Sequence, residues 1–178
     1  PERFELERKY VLNPSWQIMC RSEQLQNVGD HVVWEGHGET IVITRKKDGS
    51  LGGFHNVCLH RGGSLGDGWV SRGRVVCPYH GWEFNGGGQC ERIPSLGPLA
   101  KIPSRARIDA YPVEERYGLV FVFLGDLPES ERPTIMPNNE WGQPGWRSLS
   151  MRNRGNINYV RQVEHQPLHA LLGERLER

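Results

Sequence analysis

Two short loops that each pair one cysteine with one histidine constrain this chain more than any other feature. The first loop contains Cys58 and His60, the second contains Cys77 and His80, and sixteen residues separate His60 from Cys77. Thiolate sulfur and imidazole nitrogen are side-chain donors that bind transition metals, and thiolate is the soft ligand that suits iron bonded to sulfide. The pattern therefore predicts a metal centre held between two loops.

Glycine and proline residues next to these donors favour the same interpretation. Gly62 and Gly63 follow the first pair, and Gly81 follows the second. We expect these glycines to let backbone N–H groups approach the sulfur atoms without a Cβ in the way. Pro78 stiffens the second loop because its ring restricts the backbone.

Four arrangements compete for these residues. Two cysteines on one iron and two histidines on the other form the ligand set of a Rieske [2Fe–2S] centre. Zinc takes the same four residues in a tetrahedral site, although zinc sites usually pair cysteine with cysteine and histidine with histidine. A disulfide between Cys58 and Cys77 would leave His60 and His80 without a role. Ordinary core cysteines and histidines are the remaining alternative.

The sequence around the two loops resembles the Rieske domain of ring-hydroxylating oxygenases, the Rieske non-haem iron oxygenases. The resemblance covers about residues 15 to 125 and rests on the segments Cys58–Gly63, Cys77–Phe84, Gly88–Cys90 and Ile93–Pro94. It implies an all-β fold in which antiparallel sheets carry two ligand loops, followed by the start of an α+β catalytic domain.

The resemblance also implies a type of Rieske centre. In the respiratory-chain Rieske proteins each ligand loop carries a further cysteine, and these two cysteines form a disulfide. By the resemblance, Gly63 and Tyr79 occupy the corresponding positions in this chain. The disulfide of the respiratory-chain proteins therefore cannot form here. We therefore expect the soluble type with the lower reduction potential, in which Arg61, Tyr79 and Trp82 surround the ligands and tune the potential.

The chain is expected to divide into three parts. Residues 1–128 form the Rieske [2Fe–2S] domain with an N-terminal arm, residues 129–147 form a linker, and residues 148–178 form the incomplete start of a catalytic oxygenase domain. The segment Arg154–Glu164 resembles the beginning of that domain, most like the phthalate-dioxygenase branch.

Two segments of the first part carry clear strand patterns. Arg105–Glu114 alternates, which predicts one strand with Ile108, Ala110 and Val113 on its apolar side. Leu119–Leu124 is too short and too rich in β-branched and aromatic residues for a helix, so it predicts a strand buried on both faces.

A second iron site is implied by the resemblance, since these oxygenases bind a catalytic iron with two histidines and one carboxylate. His165 and His169 are the candidates, because an i, i+4 pair can face one metal. Two ordinary solvated histidines are the alternative. The expected aspartate has no clear counterpart, and Pro167 fits poorly inside a helix. Either the protein is truncated here, or residues next to His165 are missing from the sequence.

The function implied by the resemblance is that of a Rieske-type mono- or dioxygenase, an oxidoreductase of aromatic hydrocarbon catabolism. A reductase or ferredoxin would pass electrons through the [2Fe–2S] cluster to the mononuclear iron, which activates O₂ to hydroxylate an aromatic or similar small substrate. A homotrimer is expected. The alternative is a stand-alone Rieske-type ferredoxin without its own catalysis. The extension beyond residue 128 favours the oxygenase, because a carrier would stop near Leu124.

Composition argues against several other classes. The net charge is +1, with 22 basic and 21 acidic residues and no basic block, which argues against nucleic acid as a partner. The longest apolar run has six residues, whereas a membrane helix needs about 20. Cys20 and Cys90 have no evident disulfide partner, so the cysteine content indicates a reducing, cytoplasmic location.

Overall fold

Short β-strands make up most of the regular structure in the computed structural model, which describes residues 2–147 and residue 156. The strands in this part are β1 (Trp16–Arg21), β2 (His31–Gly36), β3 (Glu39–Arg45), β4 (Leu51–His55), β5 (Trp69–Ser71), β6 (Arg74–Val76), β7 (Glu83–Phe84), β8 (Cys90–Arg92), β9 (Ala110–Tyr111), β10 (Val113–Arg116) and β11 (Leu119–Phe123). The helical segments described are α1 (Glu2–Glu7), a π-helical turn (Arg8–Leu12) and the 3₁₀ turns Ser22–Gln24, Pro94–Leu96 and Glu129–Glu131. No helix within the described residues is long and apolar enough to cross a membrane.

The strands form three antiparallel sheets, with the orders β1-β11-β10, β2-β3-β4-β9 and β5-β6-β7-β8. This confirms the predicted all-β architecture, while the predicted start of a catalytic domain at 148–178 lies outside the described residues apart from residue 156. The first ligand loop follows β4 of the second sheet, and the second ligand loop follows β6 of the third sheet. The candidate centre is therefore supported by two different sheets.

Strand β3 is buried on both faces and contributes to two hydrophobic cores. Successive side chains of a strand point to opposite faces, so Val42 joins one core, and Ile41 and Ile43 join the other. The first core, which includes both cysteines of the ligand loops, contains Val42, Phe54, Cys58, Leu65, Val75, Cys77, Phe84, Cys90, Ile93 and Ile108. The second contains Met19, Cys20, Leu25, Ile41, Ile43, Val120, Val122 and Leu124.

Strand β11 is the central strand of its sheet. It pairs with β1 on one side and with β10 on the other. Val120, Val122 and Phe123 are fully buried, and Phe121 is nearly so. The prediction of a strand buried on both faces is confirmed, because both faces of this strand pack against protein.

The prediction of a single strand over residues 105–114 is wrong. The chain instead forms β9, which pairs with β4, and β10, which pairs with β11, so it changes sheet at Pro112. Proline has no N–H to donate to a ladder, and here only its carbonyl takes part, accepting from the N–H of Phe123 at 3.0 Å. Ala110 is exposed, contrary to the alternation pattern, whereas Ile108 is buried.

The chain divides into two compact units, residues 1–138 and residues 139–178. The finer division predicted above, with a linker at 129–147 between a Rieske domain at 1–128 and a catalytic segment at 148–178, stays a prediction.

A nearly buried carboxylate ties together three strands of the third sheet. Glu83 on β7 accepts hydrogen bonds from Arg74 on β6, at 3.0 Å, and from Arg92 on β8. Arg74 also donates to Glu91. Burial acts to raise the pKa of Glu83, but the hydrogen bonds from Arg92 and Arg74 outweigh it and hold that pKa below its usual value. Because Glu83 follows directly after the second ligand loop, this network anchors the end of that loop.

Replacing Glu83 by glutamine should destabilise the protein at neutral pH and much less in acid. A hydrogen bond to a charged group contributes about 1.5–3 kcal/mol to stability. We therefore expect the free energy of unfolding to fall by about that amount. The folded-state pKa is lowered, so this stabilisation is present above the unfolded-state pKa of about 4.3 and is lost as the pH falls through the folded-state value.

The measurement is thermal unfolding of both proteins followed by circular dichroism between pH 7 and pH 3. Glu114→Gln is the matched control, because the pair that Glu114 forms with Arg116 is exposed on both sides and exposed pairs contribute about 0–1 kcal/mol. A difference between wild type and Glu83→Gln that stays constant down to pH 3 would contradict the assignment.

Candidate metal centre

The first ligand loop is closed by the backbone of its own cysteine. The N–H of Cys58 donates to the carbonyl of Gly63 at 2.8 Å, and the carbonyl of Cys58 accepts from the N–H of Gly62 at 2.9 Å. These bonds bend residues 58–63 into a compact turn. The His60 side chain is carried at its exposed tip, while the Cys58 side chain is directed into the core.

The second ligand loop closes in the same way. The N–H of Cys77 donates to the carbonyl of Trp82 at 2.8 Å, and the carbonyl of Cys77 accepts from the N–H of Gly81 at 3.0 Å. In both loops the cysteine N–H thus bonds to the residue five positions ahead, and the cysteine carbonyl bonds to a glycine four positions ahead. The two loops are therefore local repeats of one turn, although their histidines stand two and three residues after the cysteine.

The glycine at the fourth position is required by the backbone conformation. Gly62 has φ +70° and Gly81 has φ +72°, values in the left-handed region that side chains with a Cβ disfavour. The close approach to sulfur that we expected is found only at Gly63, where an added Cβ would lie 3.6 Å from the Cys77 Sγ. At Gly62 an added Cβ would meet no atom within 4 Å. The expected reason for Gly62 and Gly81 is thus corrected.

The four predicted donors are brought together as two pairs at different depths. Cys58 and Cys77 are each only 2% exposed, are free thiols and belong to the same hydrophobic core. His60 and His80 are exposed, and their Nδ1 atoms are 3.1 Å apart. Within the part of the chain that the structure describes, no three His, Cys, Asp or Glu side chains are grouped as ligands of one ion would be. The donors are a buried sulfur pair and an exposed nitrogen pair.

Both pairs fit a two-iron cluster. Two imidazole nitrogens that each lie about 2.0–2.1 Å from a shared tetrahedral metal are about 3.3 Å apart, which is close to the 3.1 Å between the Nδ1 atoms of His60 and His80. Thiolates suit an iron that is also bonded to sulfide, and imidazoles suit an iron at the exposed edge. The donor set and its geometry can therefore hold a cluster with one iron at each depth.

The pKa values of two donors, Cys58 and His80, are shifted in opposite directions. Burial raises the pKa of Cys58 to about 11, with the neighbouring Cys77 acting in the same direction. Desolvation, followed by the nearby His60 and Arg61, lowers the pKa of His80. The lowered pKa favours the neutral form of His80, which is the form of imidazole that can bind a metal, and the raised pKa favours the protonated Cys58 thiol, whose proton a metal would have to displace.

Aromatic side chains of the second loop contact both histidines. The Trp82 indole stacks on the His60 ring with centroids 4.9 Å apart and an interplanar angle of 4°. The Tyr79 ring lies 3.9 Å from the ring of its neighbour His80, at an angle of 39°. Trp82 and Tyr79 thus contact the donors as expected. The stacking of Trp82 on the histidine of the opposite loop is an additional contact that the sequence does not predict.

Asn56 is a further residue of the centre that sequence reasoning passed over. It is buried, its Oδ1 accepts from the N–H of Gly66 at 2.6 Å, and its Nδ2 donates to the Oγ of Ser64 at 3.2 Å. Asn56 therefore joins the two ends of the first ligand loop. An asparagine directly before a predicted metal-binding loop is the signal that could have identified it, because its side chain often bonds to nearby backbone.

Other candidates fall elsewhere. Cys20 and Cys90 are buried free thiols, consistent with their lack of an evident disulfide partner in the sequence. His165 and His169, the predicted ligands of a mononuclear iron, lie outside the described residues. Their role stays a prediction.

Three curated proteins with similar sequences are named as oxygenase subunits. The chain is 36% identical over 135 residues to the 3-chlorobenzoate-3,4-dioxygenase oxygenase subunit of Comamonas testosteroni, covering 73% of this chain and 31% of that protein. It is 33% identical over 155 residues to the tert-butanol monooxygenase / tert-amyl alcohol desaturase oxygenase subunit of Aquincola tertiaricarbonis, covering 86% and 32%. It is 36% identical over 122 residues to the carnitine monooxygenase oxygenase subunit of Escherichia coli (strain K12), covering 67% and 32%. The chain therefore spans about a third of the length of these relatives.

Solved structures give the same picture. The quaternary ammonium Rieske monooxygenase CntA matches with a TM-score of 0.60 and 31% identity, covering 69% of this chain and 35% of that chain. NdmA of Pseudomonas putida CBB5 matches with a TM-score of 0.59 and 30% identity, covering 68% and 39%. Dicamba monooxygenase, in a structure with non-haem iron and dicamba, matches with a TM-score of 0.57 and 28% identity, covering 69% and 37%.

The family match covers the whole candidate centre. Residues 15–103, half of the chain, match the Rieske [2Fe–2S] domain, and this range includes both ligand loops. The cofactor is thus a [2Fe–2S] cluster. This match favours the Rieske arrangement over the zinc site and the disulfide. The chain belongs to the Rieske [2Fe–2S] domain family.

Proposed function

We propose that Cys58 and Cys77 bind the inner iron of the cluster and that His60 and His80 bind the outer iron. The observation that carries this assignment is the separation of the donors by depth, with the sulfur pair 2% exposed and the nitrogen pair at the surface. The 3.1 Å between the two Nδ1 atoms supports a shared metal on the nitrogen side. Identical loop closures hold both pairs in this order.

When bound, the cluster accepts and releases one electron at a time. Two neutral imidazoles in place of two thiolates leave less negative charge at the site, so reduction is easier than with four cysteines. His60 and His80 are exposed, which leaves an edge where an electron can be exchanged with a partner. Cys58 and Cys77 belong to the first core, where surrounding apolar side chains keep water from the sulfur atoms.

The function supported best is that of a Rieske oxygenase component. The relatives above are named as subunits of a dioxygenase and of monooxygenases. The matched structure of dicamba monooxygenase contains non-haem iron. Electrons from a reductase or ferredoxin would pass through the cluster to a mononuclear iron that activates O₂ and hydroxylates a small substrate. His165 and His169 are the proposed ligands of that iron.

Several finer features belong to the same proposal. The phthalate-dioxygenase-like branch is supported by the segment Arg154–Glu164. A small aromatic substrate is supported by the chlorobenzoate in the name of one relative. The names of two other relatives contain tert-butanol and carnitine, which are not aromatic. The proposed substrate class is therefore small compounds, both aromatic and non-aromatic. A homotrimer and a cytoplasmic location complete the proposal.

Iron content separates an oxygenase from a stand-alone electron carrier. The cluster supplies about two irons per chain, and a retained mononuclear site raises the value to about three. For protein purified from its natural source we expect about three, together with oxygen uptake when a reductase and candidate aromatic acids are supplied. A value near two, with full sulfide content and no oxygen uptake, would favour the carrier.

Removing one donor from each pair should abolish the cluster. In a Cys58→Ser, His60→Ala variant each iron loses one protein ligand, so the visible absorption should disappear and the iron content should fall by about two per chain. The matched control is Cys90→Ala with His31→Ala, which removes the same residue types outside the loops and should keep the colour. A folded, coloured Cys58→Ser, His60→Ala protein would refute the ligand assignment.

The contact between the two loops can be tested without touching a ligand. A Cβ at position 63 would lie 3.9 Å from the Cβ of Tyr79, within the range of about 3.5–4.5 Å that disulfides need. A Gly63→Cys, Tyr79→Cys variant should therefore form a cross-link under oxidising conditions. Intact mass after alkylation detects it, with each single variant as a control that stays alkylated. Free, alkylated thiols in the oxidised double variant would show that the loops are farther apart.

A further inference from the structure

Trp82 and His60 make the closest parallel ring contact at the centre, and they come from opposite ligand loops. The two ring centroids are 4.9 Å apart and the planes differ by 4°. Offset and parallel arrangements are favourable for aromatic rings, and a near-zero angle means that one face of the imidazole is covered by the indole. Rotation of the His60 ring out of its present plane would therefore drive it into Trp82.

The position of Trp82 is set independently of the first loop. Its carbonyl accepts the hydrogen bond from Cys77 that closes the second loop, at 2.8 Å. Its indole is partly buried and packs against the first core, with its ring centroid 6.5 Å from that of Phe84. Glu83, the next residue, is held between Arg74 and Arg92. Trp82 is thus a fixed surface against which the histidine of the other loop rests.

The His80 ring has no parallel ring partner from the first loop among the described residues; its ring contact with that loop is to His60, 4.4 Å between centroids and edge-on at 72°. The side chain beside His80 that corresponds to Trp82 beside His60 is Tyr79. Tyr79 is adjacent to His80 in sequence, 64% exposed and tilted by 39° against the His80 ring. An exposed, tilted neighbour restricts a ring much less than a parallel, anchored one. The two histidines are therefore held differently, although their Nδ1 atoms are only 3.1 Å apart.

We propose that Trp82 is a positioning residue that sets the plane of the His60 imidazole from the opposite loop, and thereby makes the two histidine ligands inequivalent. This inference rests on the proposed ligation of the outer iron by His60 and His80. Trp82 fixes the direction in which the Nδ1 lone pair of His60 points, and it shields one face of that ring from water. The reduction potential then depends on a residue that is not itself a ligand.

The test is pulsed electron paramagnetic resonance of the intact, reduced protein, which resolves the ¹⁴N couplings of the two histidines. Trp82→Leu removes the aromatic face, so we expect one of the two couplings to change, the other to stay at its wild-type value, and the reduction potential to shift. Trp82→Phe keeps a smaller ring and should give a smaller change at the same nitrogen. Trp69→Leu is the control, since Trp69 is 53% exposed on β5 of the third sheet, and it should leave both couplings unchanged.

Each outcome separates this inference from the proposed function. Wild-type protein without histidine nitrogen couplings would refute the ligation, and the inference would fall with it. Two couplings in wild type that are unchanged in Trp82→Leu, or that change equally, would refute the positioning role alone. If Trp82→Leu does not fold, Trp82→Phe decides, because a spectrum identical to wild type at both nitrogens would overturn the inference, and a change confined to one nitrogen would support it.

Discussion

The geometry of the centre depends on one backbone interaction that occurs twice. In each ligand loop the N–H of the cysteine donates to the carbonyl five residues ahead, and the carbonyl of the cysteine accepts from the N–H of the glycine four residues ahead. The second bond requires a left-handed backbone at that glycine, Gly62 in one loop and Gly81 in the other. Because each cysteine closes its own loop, its sulfur is held at the base of the loop and the histidine is held near the tip.

The order of donors produced in this way explains the chemistry that the centre can support. The thiols lie in the first core, where burial raises the pKa of Cys58, so a metal has to displace its proton to bind. The imidazoles lie at the surface, and desolvation, followed by the nearby His60 and Arg61, lowers the pKa of His80. In the proposed ligation the negative charge would therefore lie on the buried, sulfur side of the centre, and the neutral, exposed side would exchange electrons with a partner.

The sequence was most informative where the relevant interactions are local. The proposed ligands and their glycines lie within six residues of each other in both loops, so a Rieske [2Fe–2S] domain and its all-β fold were predictable. The stack between Trp82 and His60 joins residues of different loops, and no local pattern contains it. At Pro112 a local pattern was misleading. The alternation of apolar and polar residues continues through Pro112, although the chain changes from one sheet to another there. Gly62 was identified for the wrong reason, because a sequence shows that a glycine is present but not its φ angle.

The central claim is that the two metals of the cluster have different protein ligands, sulfur on the buried side and nitrogen on the exposed side. Mössbauer spectroscopy of the oxidised, ⁵⁷Fe-enriched protein tests it most directly, because each ligand environment gives its own quadrupole doublet. The account predicts two doublets of equal area with different isomer shifts. A single doublet, from two equivalent irons or from one iron alone, would contradict it.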